Sequence, residues 1–397
     1  MNRKQFVILL VLLVVVGGAG LLVKRGKDNS SNTGEPGVGK KLLGDKFALN
    51  DVAHIVIKQG TNEVNLAKKD ELWRVRERND YAANFQEIGD FLIKARDLKV
   101  IQVEEIGPSQ LPRLELATGQ GTNSGVLLDL KNKDDKSLET LTLGKKHTQK
   151  PKQASQFGGD EGFPDGRYVM LASDTKNALV IGDPLNSIEP KPESWLNKTF
   201  FKVERPKAVS VTFPAATNSW KIVRDTESGD WKFAEAKPEE KLDSAKASGV
   251  SSPFSSLSFT DVLSPGGNGF DQPTVVTVDT FDDLTYTVKI GKKSGDDYPI
   301  SMTVAAKFPK ERIPAKDEKP EDKDKADKAW KDRQQQLEAK VKQDQTFAKW
   351  TYLVPGYTLD SLLKDRKDLL VEKKEDKPKE ASAPATGLDS AVDPLAK

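Results

Sequence analysis

The sequence predicts an α+β protein: two tandem repeats of mostly antiparallel sheet with one helix each, preceded by a single N-terminal transmembrane helix. Three observations carry this expectation. An uncharged apolar run lies near the start, short segments of period-2 alternation recur between turn residues, and the order of those segments repeats once along the chain.

The apolar run is "FVILLVLLVVVGGAGLLV", Phe6 to Val23. As a helix it spans about 27 Å, enough for a bilayer core. A cleaved signal peptide has an apolar region of about 7–15 residues ending at a small-residue site. This run is longer and continues past Gly17-Gly18-Ala19-Gly20, so an uncleaved anchor over residues 1–27 is expected, followed by a flexible linker over 28–41. Arg3 and Lys4 precede the span, whereas Lys24, Arg25, Lys27, Lys40 and Lys41 follow it. Counted alone, those charges would keep the body cytoplasmic, but long domains translocate despite such charges.

From Val52, "VAHIVIKQ", "NEVNLAKK" and "LWRVRE" alternate apolar and polar residues and predict a three-stranded meander. Asn84 is then an N-cap with Glu87 three residues on, and Phe85, Ile88, Phe91, Leu92 and Ala95 recur at helical spacing. "AVSVTFP", "SWKIVRD" and "DWKFAEA" repeat the meander downstream, placing Trp73 and Trp231 at equivalent points. "LDSAKASGVSSPFSSLSF" stands at the helix position, where Gly249 and Pro253 keep any helix short or broken. "LETLTLGKK" is answered by "TYTVKIGKK", "GRYVMLAS" by "YPISMTVAAK" and "NALVIGDP" by "KWTYLVPG". "SWLNKTFFKV" and "SLLKDRKDLLV" close the two units, giving repeats over 42–200 and 201–372.

Two stretches interrupt this order. "HTQKPKQASQFGGDEGFPD" lengthens one connection of the first repeat, and a charged insert over 309–346 falls at the last hairpin tip of the second, where insertions cost little. The insert reads either as a disordered excursion or as a solvated helix over 322–342 with Trp330, Leu337 and Val341 as its apolar contacts, a shape suited to docking a partner. Residues 373–397 hold too little apolar surface to offset ordering entropy and are expected to be a disordered tail.

Taken together, "HIVIKQGTNEVNLAKKDELWRVRE", "LTLGKK", "RYVMLA" and "SWLNKTFFKVE" resemble the DUF4340 family of bacterial envelope proteins. The resemblance covers about residues 45–372 and is nearer in the first repeat. It implies an inner-membrane, single-pass protein whose body faces the periplasm or cell exterior. It also implies work beside ABC-type transporters, including ones associated with gliding motility. It carries over no catalytic residues.

Composition and motifs point away from chemistry. The 397 residues carry a net charge of only +2 with 31% charged residues, so no global field attracts nucleic acid, and the lack of cysteine removes thiolate sites. "GEPGVGKK", Gly34 to Lys41, fits the P-loop pattern Gly-x-x-x-x-Gly-Lys. A polar stretch precedes it in place of a buried strand, Lys41 stands where magnesium needs a hydroxyl, and the nearest acid-ended strand, "GVLLDL" with Asp129, reads as a hairpin. His54 lies in an alternating strand on a face with Val52 and Val56, and His147 in a polar connection; neither has a metal-site partner spacing. "GTNSG", Gly121 to Gly125, lacks the nucleophile-elbow pattern. The pairs Asp134-Asp135, Asp160-Glu161, Asp282-Asp283 and Asp296-Asp297 sit in turn contexts, where aspartate bonds its own backbone. Calcium at Asp160, Glu161 and Asp165 lacks the EF-hand loop pattern. Trp73, Trp220, Trp231 and Trp350 alternate with polar residues and are expected in packing.

No catalytic, cofactor-binding or metal-ligating residue is therefore nominated, and no cofactor is expected. The expected function is that of a non-enzymatic, membrane-anchored accessory or scaffold of a transporter or motility complex. Its partners would be other envelope proteins and, through residues 6–23, the bilayer. The alternative is an extracytoplasmic binding module for a small ligand or envelope polymer, held in the seam between the repeats.

Overall fold

The computed structural model describes residues 37–119, 124–149, 163–264, 269–314 and 318–372. The expected anchor, most of the linker, the tail, and Asp160 with Glu161 lie outside the described residues. Among the described residues no helix is long and apolar enough to cross a membrane.

The first sheet opens with β1 (His54–Gln59), β2 (Asn62–Lys69), β3 (Leu72–Val75) and β4 (Tyr81–Ala82). Two-residue turns join the first three. Gly60 takes φ 59° in one, and Asp70 and Glu71 take φ 51° and 60° in the other, the left-handed backbone that matches strand twist in a tight hairpin. Helix α1 (Phe85–Asp97) follows, then β5 (Val100–Glu105) and the meander β6 (Val126–Lys131), β7 (Ser137–Gln149), β8 (Phe163–Leu171) and β9 (Asp174–Ile181). Asn84 caps α1 by accepting from the Glu87 N–H at 3.4 Å, and the helix buries Ile88, Phe91, Leu92 and Ala95. Phe85 departs from the expected stripe: at the first helical position it is 68% exposed.

The second sheet uses β10 (Pro206–Thr212), β11 (Trp220–Val223), β12 (Lys232–Phe233), the five-residue helix α2 (Ser244–Ser248), β13 (Asp261–Leu263), β14 (Thr274–Thr280), β15 (Leu284–Ile290), β16 (Asp297–Ala306) and β17 (Thr351–Pro355). In β15 the alternation is plain: Leu284, Tyr286, Val288 and Ile290 are buried between more exposed neighbours.

Both sheets are antiparallel, and apart from β4, which has no counterpart in the second, they share one strand order. The first runs β4-β3-β2-β1-β6-β7-β8-β9-β5 and the second β12-β11-β10-β14-β15-β16-β17-β13. In each, the chain leaves one edge, passes through the helix, lays a strand on the far edge (β5 or β13), and returns to the middle. Those edge strands were not expected from the sequence, since β5 carries a mixed "VIQVEE" and β13 only three residues.

Equivalent points keep equivalent geometry. Asn84 N–H donates to the Trp195 carbonyl at 2.8 Å, as Asp243 N–H does to Leu369 at 3.0 Å, and both residues are helix N-caps. Lys68 lies 5.3 Å from the Trp73 ring and Arg224 4.9 Å from the Trp231 ring. The glycines of the two "GKK" segments each face a carbonyl: a Cβ on Gly144 would meet the Leu114 oxygen at 2.4 Å, and one on Gly291 the Gly269 oxygen at 2.2 Å.

One hydrophobic cluster runs through both sheets, and a satellite around Leu116, Met170 and Ala178 lies beside the first. The charged insert joins this core. Helix α3 (Pro320–Gln345) buries Leu337 and Val341, each contributing roughly 1.5–3 kcal/mol. Asp344, 3% exposed, accepts from the Tyr286 hydroxyl at 2.7 Å and from Lys340 Nζ at 2.9 Å. Burial, reinforced by the Asp344 carboxylate, pushes the Tyr286 phenol up. The insert is thus a docked helix, and the excursion reading does not hold for residues 320–345.

Two tests follow from this packing. Gly291→Ala should lower stability by about 1–3 kcal/mol, opposite in sign to an unstrained Gly→Ala change, read as a lower urea midpoint at constant m. Asp344→Ala should cost about 2–4 kcal/mol, chiefly by stranding the buried Tyr286 hydroxyl, and should open α3 to trypsin ahead of global unfolding.

Candidate functional site

The two sheets meet along a seam that begins at the β3–β4 connection. There Arg76–Arg78 form one 3-10 turn, and Asn79 follows at φ 54°. That turn aims Arg78 at β13, where its Nε and Nη2 donate to the two carboxylate oxygens of Asp261 at 2.6 and 2.7 Å. Glu193 adds a contact at 3.5 Å, and Asn79 Nδ2 donates to Ser264 Oγ at 2.9 Å. The Asp261 carboxylate, more than any longer-range charge, raises the Arg78 guanidinium above its ordinary value. Lys198, in the connection between the sheets, donates to the Thr260 carbonyl at 2.6 Å and lies 4.8 Å from the Phe259 ring.

Behind these polar clamps lies an aromatic cluster. Tyr81 meets Trp350 edge-on with ring centroids 5.0 Å apart, and Phe259 at 6.1 Å. Phe200, from the connection, packs against Phe201 at 4.7 Å, Phe259 at 5.0 Å and Tyr352 at 4.5 Å. Phe347, just beyond α3, closes the cluster 5.5 Å from Phe200.

A cavity of about 280 Å³ opens on this cluster. The first sheet contributes Arg74, Tyr81 and Ala82, and the connection contributes Asn197 and Thr199. Gln343, Thr346 and Phe347 come from the end of the insert, and Trp350 and Tyr352 from the last strand region. The Tyr352 hydroxyl is buried without a hydrogen bond of good geometry, with the Tyr81 phenol alongside. Burial pushes both phenols up. The Arg74 guanidinium makes no ion pair or side-chain hydrogen bond among the described residues.

The sequence-nominated features lie elsewhere. His54 is buried on the outer face of β1, with Nδ1 2.7 Å from Asp135 and Nε2 2.9 Å from the Asn65 oxygen. The Asn65 amide is oriented by donating to Glu63 and Glu77 at 2.9 and 2.8 Å, so the network ties two strands and two turns together. Val52, expected on that face, is instead in the core. His147 is in strand β7, not a loop, and faces Asp165 on β8 at 2.7 Å. Asp282 accepts from Arg205 and, at 3.0 Å, from Arg333 of α3, and Asp297 accepts from Thr260 at 2.7 Å, so these carboxylates do more than shape turns. Among the described residues no three His, Asp or Glu side chains gather to hold a metal ion.

The described part of "GEPGVGKK" is docked. Gly39 N–H donates to the Val100 carbonyl at 2.8 Å, Val100 N–H returns to Lys40 at 3.0 Å, and Lys41 pairs with Asp97 at 3.2 Å. Arg96 first, then Lys41, hold the Asp97 carboxyl down to about 2. Residues 39–41 thus extend the edge of β5 in place of slack linker, and the Gly39 amide is not free to cradle a phosphate.

The fold and seam define an antiparallel α+β protein of two sheets locked by a shared aromatic core. Residues 73–274, just over half of the chain, match the family described as a domain of unknown function, DUF4340, and the protein belongs to that family. The matched span holds Arg78 and Tyr81 of the first sheet, Phe200 of the connection, and Phe259 and Asp261 of the second-sheet side of the seam. No curated protein and no solved structure matches the chain.

Arg78→Ala should destabilise by about 2 kcal/mol, and Arg78→Lys should recover less than half, because an ammonium cannot serve both Asp261 oxygens. A double-mutant cycle with Asp261→Ala in urea melts measures the coupling.

Proposed function

We propose that the protein is a non-enzymatic, membrane-anchored envelope protein that works by binding other proteins, as an accessory or scaffold of an ABC-type transporter or motility-like complex. In this reading residues 6–23 are the single span, the body faces the periplasm or exterior, and residues 42–200 and 201–372 are two copies of one unit. The shared strand order and the paired glycines support duplication.

The observation that carries the binding role is helix α3. At 26 residues it is roughly 39 Å long, yet only its last turns meet the core, through Leu337, Val341 and Asp344. Asp322, Lys323, Asp324, Lys325, Lys328 and Lys331 are exposed along its first half. That half is held rather than loose: Arg312 bonds Asp327 at 2.6 Å and, just past the midpoint, Arg333 bonds Asp282 at 3.0 Å. A fixed, charged rod loses little entropy on docking, which favours recognition of a partner with complementary charge.

The seam cavity favours a second reading, a binding module for a small ligand, because its aromatic and hydrogen-bonding side chains converge from both sheets and the insert.

Affinity capture from detergent-solubilised membranes tests the first reading. Transporter subunits should be recovered with the wild type and lost when Lys323, Lys325, Lys328 and Lys331 are changed together to Glu. A protein that stays solitary, or a partner indifferent to the charge reversal, overturns it. External protease on spheroplasts should digest the body, and protection would overturn the assigned topology.

A further inference from the structure

We propose that the seam cavity binds an acidic sugar, a pyranose ring carrying one carboxylate; this rests on the small-ligand reading of the same cavity. The first argument is size. At about 280 Å³ it lies just below the roughly 300–1,000 Å³ of pockets that enclose drug-sized molecules, so a single ring is the natural occupant.

The second argument is the division of the lining by chemistry. Trp350, Tyr81 and Phe347 supply aromatic surface, which packs against the apolar C–H face of a pyranose. Asn197, Gln343 and Thr199 supply amide and hydroxyl groups for the ring hydroxyls. Their capacity is partly open. The Asn197 oxygen accepts from Thr199 N–H at 2.9 Å, which leaves its amide protons, and the Gln343 side chain has no hydrogen bond among the described residues. An apolar drug-like ligand would instead call for a predominantly hydrophobic wall.

Charge selects the carboxylate. Arg74 is the one ionisable side chain of the lining besides the two tyrosines, and its guanidinium is unpaired among the described residues. A guanidinium fork matches a single carboxylate, whereas a phosphate monoester brings about −1.5 to −2 charges that one cation does not balance. Among the described residues no lysine or second arginine lines the cavity. Tyr352 is fully buried at the floor of this site, its hydroxyl beside the Tyr81 phenol.

The cavity is also preformed. Arg78 with Asp261 fixes one side, and Asp344 with Tyr286 fixes the neighbour of Gln343, so little ordering is needed on binding.

The test uses the full chain in a zwitterionic detergent without a sugar headgroup, labelled with 15N-tryptophan. The Trp350 indole signal is assigned by its loss in Trp350→Phe. Probes are glucuronate, glucose, glucose 6-phosphate, benzoate and a glucuronate-containing tetrasaccharide. Glucuronate should shift the Trp350 signal, with glucose about tenfold weaker or worse and Arg74→Gln weakening glucuronate about as much. Tighter binding of the tetrasaccharide than of glucuronate supports a polymer source, and equal binding a free sugar acid; either outcome supports the proposal. Glucose equal to glucuronate, glucose 6-phosphate tighter than glucuronate, or indifference to Arg74→Gln in a variant with native circular dichroism overturns it. A shift with benzoate but with no sugar overturns the sugar and leaves the ligand-binding reading standing. No shift with any probe sinks both.

Discussion

An antiparallel sheet whose strands alternate apolar and polar residues must cover one face, and the way each sheet meets that need shapes the molecule. In the first sheet α1 supplies Ile88, Phe91, Leu92 and Ala95. In the second, Gly249 and Pro253 limit the corresponding helix to five residues, which bury only Ala247. The deficit is filled by Val250, Phe254 and Phe259 from the following segment and by Leu337, Val341 and Phe347 from the insert. A connection that began as a hairpin tip thus became part of the core. The same segments carry Phe259 to Tyr81 of the first sheet and Phe347 to Phe200 of the connection, so covering the second face also builds the seam.

The polar contacts around the seam set orientation more than they add stability. Arg78 and Asp261 have side chains about one-fifth exposed, so their attraction is partly offset by lost hydration. Two parallel hydrogen bonds nevertheless fix the angle between β13 and the β3–β4 turn, which the non-directional aromatic packing does not. Asp344 acts alike for α3: paired to Tyr286 on β15 and to Lys340 one turn back, it sets the helix rotation that places Gln343 and Thr346 at the cavity. Its partner Lys340 also reaches the Lys202 carbonyl at 2.9 Å, tying the insert to the connection between the sheets.

Local pattern and nonlocal contact were unequally legible. Period-2 runs such as "TYTVKIGKK" declared their strands because one face is buried, and Asn84 with Glu87 marked the start of α1 because capping is a matter of adjacent residues. Phe85 misled because its spacing continued the stripe, yet at the first helical position it is exposed while Ile88, three residues on, is the first to be buried. His147 read as loop because lysines and threonine surround it, but the long β7–β8 ribbon is solvent-exposed there and tolerates polar residues on both faces. Residues 39–41 read as linker because backbone pairing to β5 leaves no side-chain pattern. The edge strands β5 and β13 escaped for the same reason. The seam was the least visible: Arg78 and Asp261 stand 183 residues apart, and no periodicity connects them. Only the Phe200-Phe201 pair, aromatic beyond what a connection requires, hinted that the closing segment of the first unit packs on something.

This uneven legibility bears on how the insert relates to function. A charged segment with "KDEKPEDKDKADK" has too few apolar residues to fold by itself, and its first half remains solvent-facing in the folded chain. What orders it is the register of its end: Leu337, Val341 and Asp344 fall on one helical face and are the buried positions. The residues one step round that face, Gln343, Thr346 and Phe347, then meet the seam. A ligand at the cavity would touch the fixed end of the same rod whose other end is offered to solvent. The seam cavity and the exposed half of the helix therefore belong to one continuous rigid element, pinned at Asp344.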